Sequence, residues 1–122
     1  MYNKVTLVGR LGKEPEIRYT QDKSPIANLS IATTDYRKDS AGKSTAHTEW
    51  HRVVLFGKLA ETVRDRNPKK GSMILIEGSL RTRKWQDSDK VDRYTTEIIG
   101  DIYTEIETKS DNSSNASDDQ SQ

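Results

Sequence analysis

Apolar and polar side chains alternate along most of the chain up to residue 107, and a period of two is typical of strands with one buried face. In the segment 26–34, for example, Leu29 and Ile31 alternate with Asn28 and Ser30. Glycine, proline and polar clusters separate the alternating segments and predict turns. The extended segments fall at 4–9, 17–20, 26–34, 48–56, 72–83 and 92–107.

One segment departs from this period and predicts a helix. Leu59, Ala60 and Val63 follow helical spacing within 57–66, and Pro68 comes directly afterwards as a stop signal. Gly9, Gly12 and Pro15 mark a turn or bulge after which 17–20 resumes the first extended segment, so the order of elements is three strands, a helix and two strands. This connectivity predicts an all-β OB-fold, a five-stranded Greek-key barrel with one helix between strands 3 and 4.

Two polar segments and the end of the chain complete the organisation. We expect 38–46 and 86–91 to form mobile hairpin loops. Residues 108–122 are rich in Ser, Asn, Asp and Gln and hold no aromatic or large aliphatic side chain. Such a segment cannot bury enough apolar surface to become ordered. The sequence therefore predicts one domain at 1–107 and a disordered tail at 108–122.

Charge is distributed unevenly between these two parts. Residues 107–122 hold four carboxylates and one lysine, so the whole-chain charge of +1 leaves +4 on the first 106 residues. A basic body favours a polyanionic partner. Only 31% of residues are hydrophobic, which predicts a small core or support from oligomerisation.

The composition excludes several kinds of chemistry. The chain has no cysteine, so disulfides, thiolate nucleophiles and cysteine-based zinc sites are excluded. The first residues show no signal-peptide or transit-peptide pattern, and no apolar run approaches the ~20 residues of a membrane span. We therefore expect a soluble, cytoplasmic protein with no membrane partner and no cofactor.

The segment 48–56 places aromatic and cationic side chains on one face. Successive side chains of a strand point to opposite faces, so Trp50, Arg52 and Phe56 share one side. The opposite side, with Val53 and Leu55, has the character of a core face. The segment 80–86 repeats the arrangement on the next strand. Arg81, Arg83 and Trp85 share one face at a spacing of two, and Lys84 adjoins them.

Aromatics that alternate with cations suit single-stranded nucleic acid. Every base has a π face, so stacking tolerates any sequence, and Lys and Arg neutralise phosphates. An unpaired arginine cannot lie in an apolar core, so the face that carries Arg81 and Arg83 is expected to be solvated. An exposed tryptophan on such a face predicts a binding surface.

Several motifs in the same order resemble the bacterial single-stranded DNA-binding proteins. The residues that carry the resemblance lie between 3 and about 105 and read NKV, LVG, PEIRY, TEWHRVVLFGKLAE, IEG, LRTRKW and DRYTTE. The resemblance implies an OB-fold homotetramer that binds single-stranded DNA in replication, recombination and repair, without catalysis. It also implies a cytoplasmic, nucleoid-associated location.

The resemblance also implies roles for individual residues. Base stacking falls on Trp50, Phe56 and Trp85, and on Tyr36 where a one-residue gap is allowed. Phosphate contacts fall on basic residues of the barrel and its loops, namely Arg18, Arg52, Lys58, Lys70, Arg81, Arg83 and Lys84. The oligomer interface is implied for Lys4, His51 and Glu77.

The tail departs from the family pattern. Family members typically end in an acidic run with a Pro-Phe tip that docks replication and repair proteins, whereas here the chain ends in SDDQSQ. The acidic residues are present and the apolar tip is absent. Recruitment of replication and repair proteins through this tail is therefore in doubt.

Other functional classes remain open from the residues alone. His47, Glu49 and His51 share a strand face and could in principle serve a metal-dependent nuclease, although no further acidic cluster supports a metal site. The segment GKS at 42–44 lacks the earlier glycine and the helix of a phosphate-binding loop. An OB-fold protein-interaction adaptor would not need the three solvated aromatics, and an RNA-binding OB module would use the same stacking surface.

Overall fold

The computed structural model describes residues 1–108, which form six strands and one helix. The elements are β1 (Val5–Leu11), β2 (Glu16–Tyr19), β3 (Pro25–Lys38), β4 (Ser44–Phe56), α1 (Gly57–Arg66), β5 (Met73–Gln86) and β6 (Asp92–Glu107). The predicted helix agrees with α1 at both ends. Within residues 1–108, no helix combines the length and the apolar content needed to cross a membrane.

The strands close into a five-stranded barrel, which confirms the predicted OB-fold. The sheet runs β1-β5-β6-β4-β3-β2, and β1 also pairs with β3 to close the ring. All pairs are antiparallel except β4 and β6, whose parallel contact is short, with Val53 opposite Ile98 and Val54 opposite Ile99. Beyond these two rows the β3–β4 and β5–β6 hairpins extend past the barrel without pairing to each other.

The first barrel strand is interrupted, which explains why six strands make a five-stranded barrel. β1 pairs with β3 at Leu11 and Ile31, and β2 continues along β3 from Glu16. In the bend between them, the Gly12 amide donates to the Ser30 carbonyl at 2.8 Å. β1 and β2 are therefore two parts of one bent strand, and the helix follows four strand segments rather than three.

The barrel interior is apolar and is closed at one side by the helix. Ala60 and Val63 of α1 are buried against the inward-facing side chains of the strands. Burial of each Val, Leu or Ile side chain contributes roughly 1.5–3 kcal/mol. Asn67, in the left-handed region, ends the helix, and its amide donates to the Val63 carbonyl at 2.8 Å. The strand residues that form this apolar core are Leu11, Ala27, Leu29, Ile31, Val53, Leu55, Ile74, Ile76 and Ile98.

The two hairpins end in shorter turns than the sequence predicts. β3 extends to Lys38 and β4 begins at Ser44, so four of the nine residues of the predicted 38–46 loop are strand and the turn is confined to 39–43. The Asp39 carboxylate accepts hydrogen bonds from the Ala41 and Lys43 amides, both at 2.9 Å. The predicted 86–91 loop is shortened by one residue, since Gln86 belongs to β5. The expected mobility of both loops remains a prediction, and the expected tail beyond residue 108 lies outside the described residues.

Candidate nucleic-acid interface

The outer face of the β3–β4 hairpin carries three of the four predicted stacking residues in one line. Phe56 pairs across the ladder with Ile26, Trp50 with Ala32, and Tyr36 with Ala46. Strand residues advance about 3.4 Å each, so the position of Trp50 is roughly 14 Å from that of Tyr36 and roughly 20 Å from that of Phe56. All three aromatics are exposed, and Trp50 is 63% exposed. The arrangement presents flat rings at intervals along one direction.

The alternation along β4 has one exception. Val53 and Leu55 on the inner face are fully buried as predicted, but Val54 on the outer face is also buried. Val54 lies where β4 pairs with β6. The outer face is therefore solvated on either side of this point, at Arg52 and at Phe56.

The second hairpin fixes Trp85 by a hydrogen bond across the ladder. The Trp85 Nε1 donates to the Thr95 Oγ1 at 2.8 Å, which sets the orientation of the indole ring. The Trp85 residue is 41% exposed, so part of its side chain stays accessible. Lys84 points to the opposite side of β5, where its ammonium lies 3.4 Å from the Asp92 carboxylate.

Arg81 and Arg83 share a buried carboxylate that the sequence did not reveal. Glu97 is 4% exposed, and its carboxylate lies 3.7 Å from the Arg81 guanidinium and 3.4 Å from the Arg83 Nε. Both guanidinium groups remain about half exposed. The expectation that these arginines lie on a solvated face holds, but they are paired, and together with Glu97 they contribute one net positive charge.

A groove of about 550 Å³ opens where the two hairpins separate. Four of the residues predicted to contact DNA line it: Arg18, Trp50, Arg52 and Arg83. Sequence reasoning missed two further groove residues, Lys13 and Tyr94. The remaining lining residues are Glu16, Asn28, Leu29, Ser30, His51, Thr95 and Thr96. Of the four cationic side chains in the lining, Lys13 pairs with Glu16 at 3.5 Å and Arg83 pairs with Glu97. The groove still carries a net positive charge, which attracts phosphate.

The other predicted phosphate residues lie away from this groove. Lys58 is in the first turn of α1, next to Phe56, and Lys70 is in the turn before β5. Both are exposed, and neither forms an ion pair within residues 1–108. Arg81 and Lys84 also lie outside the groove lining. Their roles in phosphate binding stay predictions.

The three residues implied for an oligomer interface fall in two places. Lys4 and Glu77 form an ion pair at 3.1 Å near the β1–β5 ladder, and the hydrogen bond to Glu77 raises the pKa of Lys4. His51 is half-buried, lies 2.8 Å from the Thr33 hydroxyl through its Nε2, and lines the groove. The structure brings Lys4 and Glu77 together and places His51 apart from them.

The turn between β5 and β6 is organised by one carboxylate. Asp87 accepts hydrogen bonds from the Asp89 and Val91 amides and from the Arg93 Nε. The Val91 amide and then Arg93 hold the pKa of Asp87 below its usual value. Across residues 1–108, no three His, Asp or Glu side chains converge in a way that could hold a metal ion.

The closed barrel and its short parallel contact define an OB-fold protein. OB-folds bind oligonucleotides or oligosaccharides on a strand face and its adjoining loops, and here that face carries an aromatic and cationic groove. The sequence model of the single-strand binding protein family matches residues 2–108, and the chain belongs to that family.

Solved structures give the same picture. A deletion mutant of the single-stranded DNA binding protein from Thermus aquaticus matches with a TM-score of 0.75 and 30% identity, over 87% of this chain and 51% of that chain. The Plasmodium falciparum SSB in complex with ssDNA matches with a TM-score of 0.74 and 32% identity, over 86% of this chain and 97% of that chain. The chain thus spans about half the length of the Thermus protein.

Proposed function

We propose that this protein binds single-stranded DNA with little preference for base sequence, without catalysis, and protects it during replication, recombination and repair. The observation that carries the proposal is the position of Trp50. It is largely exposed, lies on the hairpin face, and borders a groove with the cations Arg18, Arg52 and Arg83. An indole ring can stack on a base while the guanidinium groups beside it bind the phosphate of the same strand.

Binding would use two physical contributions. Bases stack on Trp50, Phe56, Trp85 and Tyr36, at about 1–3 kcal/mol per base. Phosphates lie near Lys and Arg side chains, and the release of counterions makes affinity fall with salt at a log–log slope of about −0.7 per neutralised phosphate. Neither contribution depends on which base is present.

The stacking surface favours single strands over duplex. In a duplex the π faces of the bases are occupied by neighbouring bases, so they are not available to Trp50 or Phe56. Stacking does not distinguish ribose from deoxyribose, since that requires a contact to the 2′-hydroxyl. The preference for DNA is supported by family membership and by the similar Plasmodium falciparum complex with ssDNA.

We further propose a homotetramer that acts in the cytoplasm on the nucleoid. Lys4, His51 and Glu77 are the proposed interface positions, and support for the assembly comes from family resemblance. Replication and repair proteins are the further partners that the family resemblance implies. Sedimentation velocity tests the assembly, and a monomer at micromolar concentration would contradict it.

Fluorescence anisotropy with labelled oligonucleotides tests the binding proposal. We expect tight binding to oligo(dT), similar binding to mixed-sequence single strands, and at least about tenfold weaker binding to a duplex of the same length. Equal affinity for duplex and single strand would contradict the stacking mechanism. Tighter binding to oligo(U) than to oligo(dT) would indicate an RNA-binding module instead.

A further inference from the structure

The groove has an aromatic side chain on its second wall that the sequence motifs did not assign. Tyr94 lies on β6, 67% exposed, and lines the groove together with Trp50 of β4. β4 and β6 are paired only at Val53–Ile98 and Val54–Ile99. Towards the hairpin tips the two strands are no longer paired, so the two rings border the groove from different hairpins.

Tyr94 has the features of a ligand-facing residue rather than a structural one. Its hydroxyl has no hydrogen-bond partner within the described part of the chain, residues 1–108. Tyr103 provides the contrast, because it is half-buried against the core and its hydroxyl donates to the Glu105 carboxylate at 2.8 Å. A tyrosine that is two-thirds exposed contributes little to the core.

The surroundings of Tyr94 match the chemistry of a nucleotide. Arg18, Arg52 and Arg83 line the same groove and suit a phosphate, and Thr95 and Thr96, which follow Tyr94 on β6, also line it. The groove volume of about 550 Å³ lies in the range that small-molecule sites occupy, roughly 300–1,000 Å³. The groove can therefore hold one nucleotide with its base against an aromatic ring.

We propose that Tyr94 is an additional base-stacking residue, and that a single strand crossing the groove places one base on the Tyr94 ring and a neighbouring base on Trp50. The strand would thereby contact both hairpins. This inference rests on the proposed function, since it assigns a further residue to the same binding surface.

Affinity measurements on three Tyr94 variants test the proposal. Y94F keeps the ring and should bind oligo(dT) as wild type does. Y94A and Y94L lose the ring and should bind about 5- to 20-fold more weakly, a loss at the lower end of what one stacked base provides. The salt slope should stay unchanged, because none of these substitutions removes a cationic side chain. Thermal unfolding of each variant reports whether the fold is intact.

Val91→Ala serves as the matched control. Val91 is an exposed apolar residue of the same hairpin that does not line the groove. V91A should bind as wild type does. A purely structural role for Tyr94 would lower the thermal midpoint of Y94A and Y94L together with affinity, and an equal loss in Y94F would also contradict stacking.

Photocrosslinking locates the contact directly. The probe is an oligo(dT) that contains 5-iodouracil, and crosslinked tryptic peptides are identified by mass spectrometry. Each proposed stacking ring lies on a separate tryptic peptide: 24–37, 44–52, 53–58, 85–90 and the peptide that begins at Tyr94. A crosslink at Tyr94 supports the proposal. Crosslinks confined to the other four peptides contradict it while leaving the proposed function intact. Absence of any oligo(dT) binding by the wild-type protein would instead contradict the proposed function itself.

Discussion

The six-membered ring of the Trp50 indole packs against Gly12, so closely that a Cβ at position 12 would overlap the ring. Gly12 lies in the bend between β1 and β2, where its amide is held by the Ser30 carbonyl. The backbone there cannot easily move away. The orientation of Trp50, the more exposed of the two tryptophans, therefore depends on position 12 being a glycine.

Gly12→Ala is expected to weaken DNA binding without contacting DNA. The added methyl group must displace the Trp50 ring, which removes part of one stacking platform, and affinity for oligo(dT) should fall by up to about tenfold. Anisotropy measures this effect. Ser40→Ala is the control, since Ser40 is exposed in the turn 39–43 and does not line the groove. Equal affinities for wild type and G12A would show that Trp50 does not need its observed position.

Arg52 and Lys84 should contribute differently to salt dependence. Arg52 lines the groove and forms no ion pair within residues 1–108, whereas Lys84 is already paired with Asp92. Arg52→Ala should reduce the magnitude of the log–log salt slope by about 0.7, the value for one phosphate contact. Lys84→Ala should change it by less. Titrations at several salt concentrations measure both slopes, and a larger change in K84A would reverse the assignment.

Glu97→Gln tests whether the buried carboxylate limits the charge available to DNA. Removing it leaves Arg81 and Arg83 without their shared partner, so the salt slope should become steeper and affinity at low salt should rise. The loss of the ion pairs should lower the free energy of unfolding by about 1 kcal/mol, because both guanidinium groups are half exposed. Urea unfolding measures the stability. Weaker DNA binding in a folded E97Q would mean that Glu97 positions the arginines instead.

Acid should destabilise the contact between the helix and β6. The hydrogen bond from Arg66, and also that from Tyr103, hold the pKa of Glu105 below its usual 4.5 against the opposing effect of partial burial. A carboxyl whose pKa is lower in the folded state stabilises the fold above its unfolded pKa. That stability is lost as pH falls through the folded pKa.

Urea unfolding at a series of pH values tests this contribution. Wild type should lose stability below about pH 4.5, and Glu105→Gln should show a smaller decline over the same range. Glu14→Gln is the control, since Glu14 is exposed and lies 3.8 Å from Lys69. Parallel curves for wild type and E105Q would remove Glu105 from the acid response.

Much of the fold and part of the site could be predicted from the sequence. The change of period at Leu59, Ala60 and Val63 placed the helix correctly, and the alternation along β4 separated Trp50 and Arg52 from Val53 and Leu55. These predictions depend on local spacing, which a single sequence records directly.

The remaining features depend on strand register and on distant contacts. Glu97 pairs with Arg81 because the β5–β6 ladder sets them opposite each other, and no local pattern reveals this. Tyr94 reaches the groove only because β6 runs beside β4, although Tyr94 lies 44 residues after Trp50 along the chain. The role of Gly12 depends on a ring that belongs to another strand. Each of these features depends on contacts between strands that are distant in sequence, so it could be identified only in the folded barrel.

Intrinsic fluorescence of a protein whose only tryptophan is Trp50 tests the central proposal most directly. The variant Trp85→Phe leaves Trp50 as the sole indole, and its exposure makes its emission sensitive to stacking. Titration with oligo(dT) should quench this emission strongly at the concentrations where anisotropy reports binding, while a duplex should cause little change. Binding without quenching would contradict the role of Trp50 as a stacking platform for single-stranded DNA.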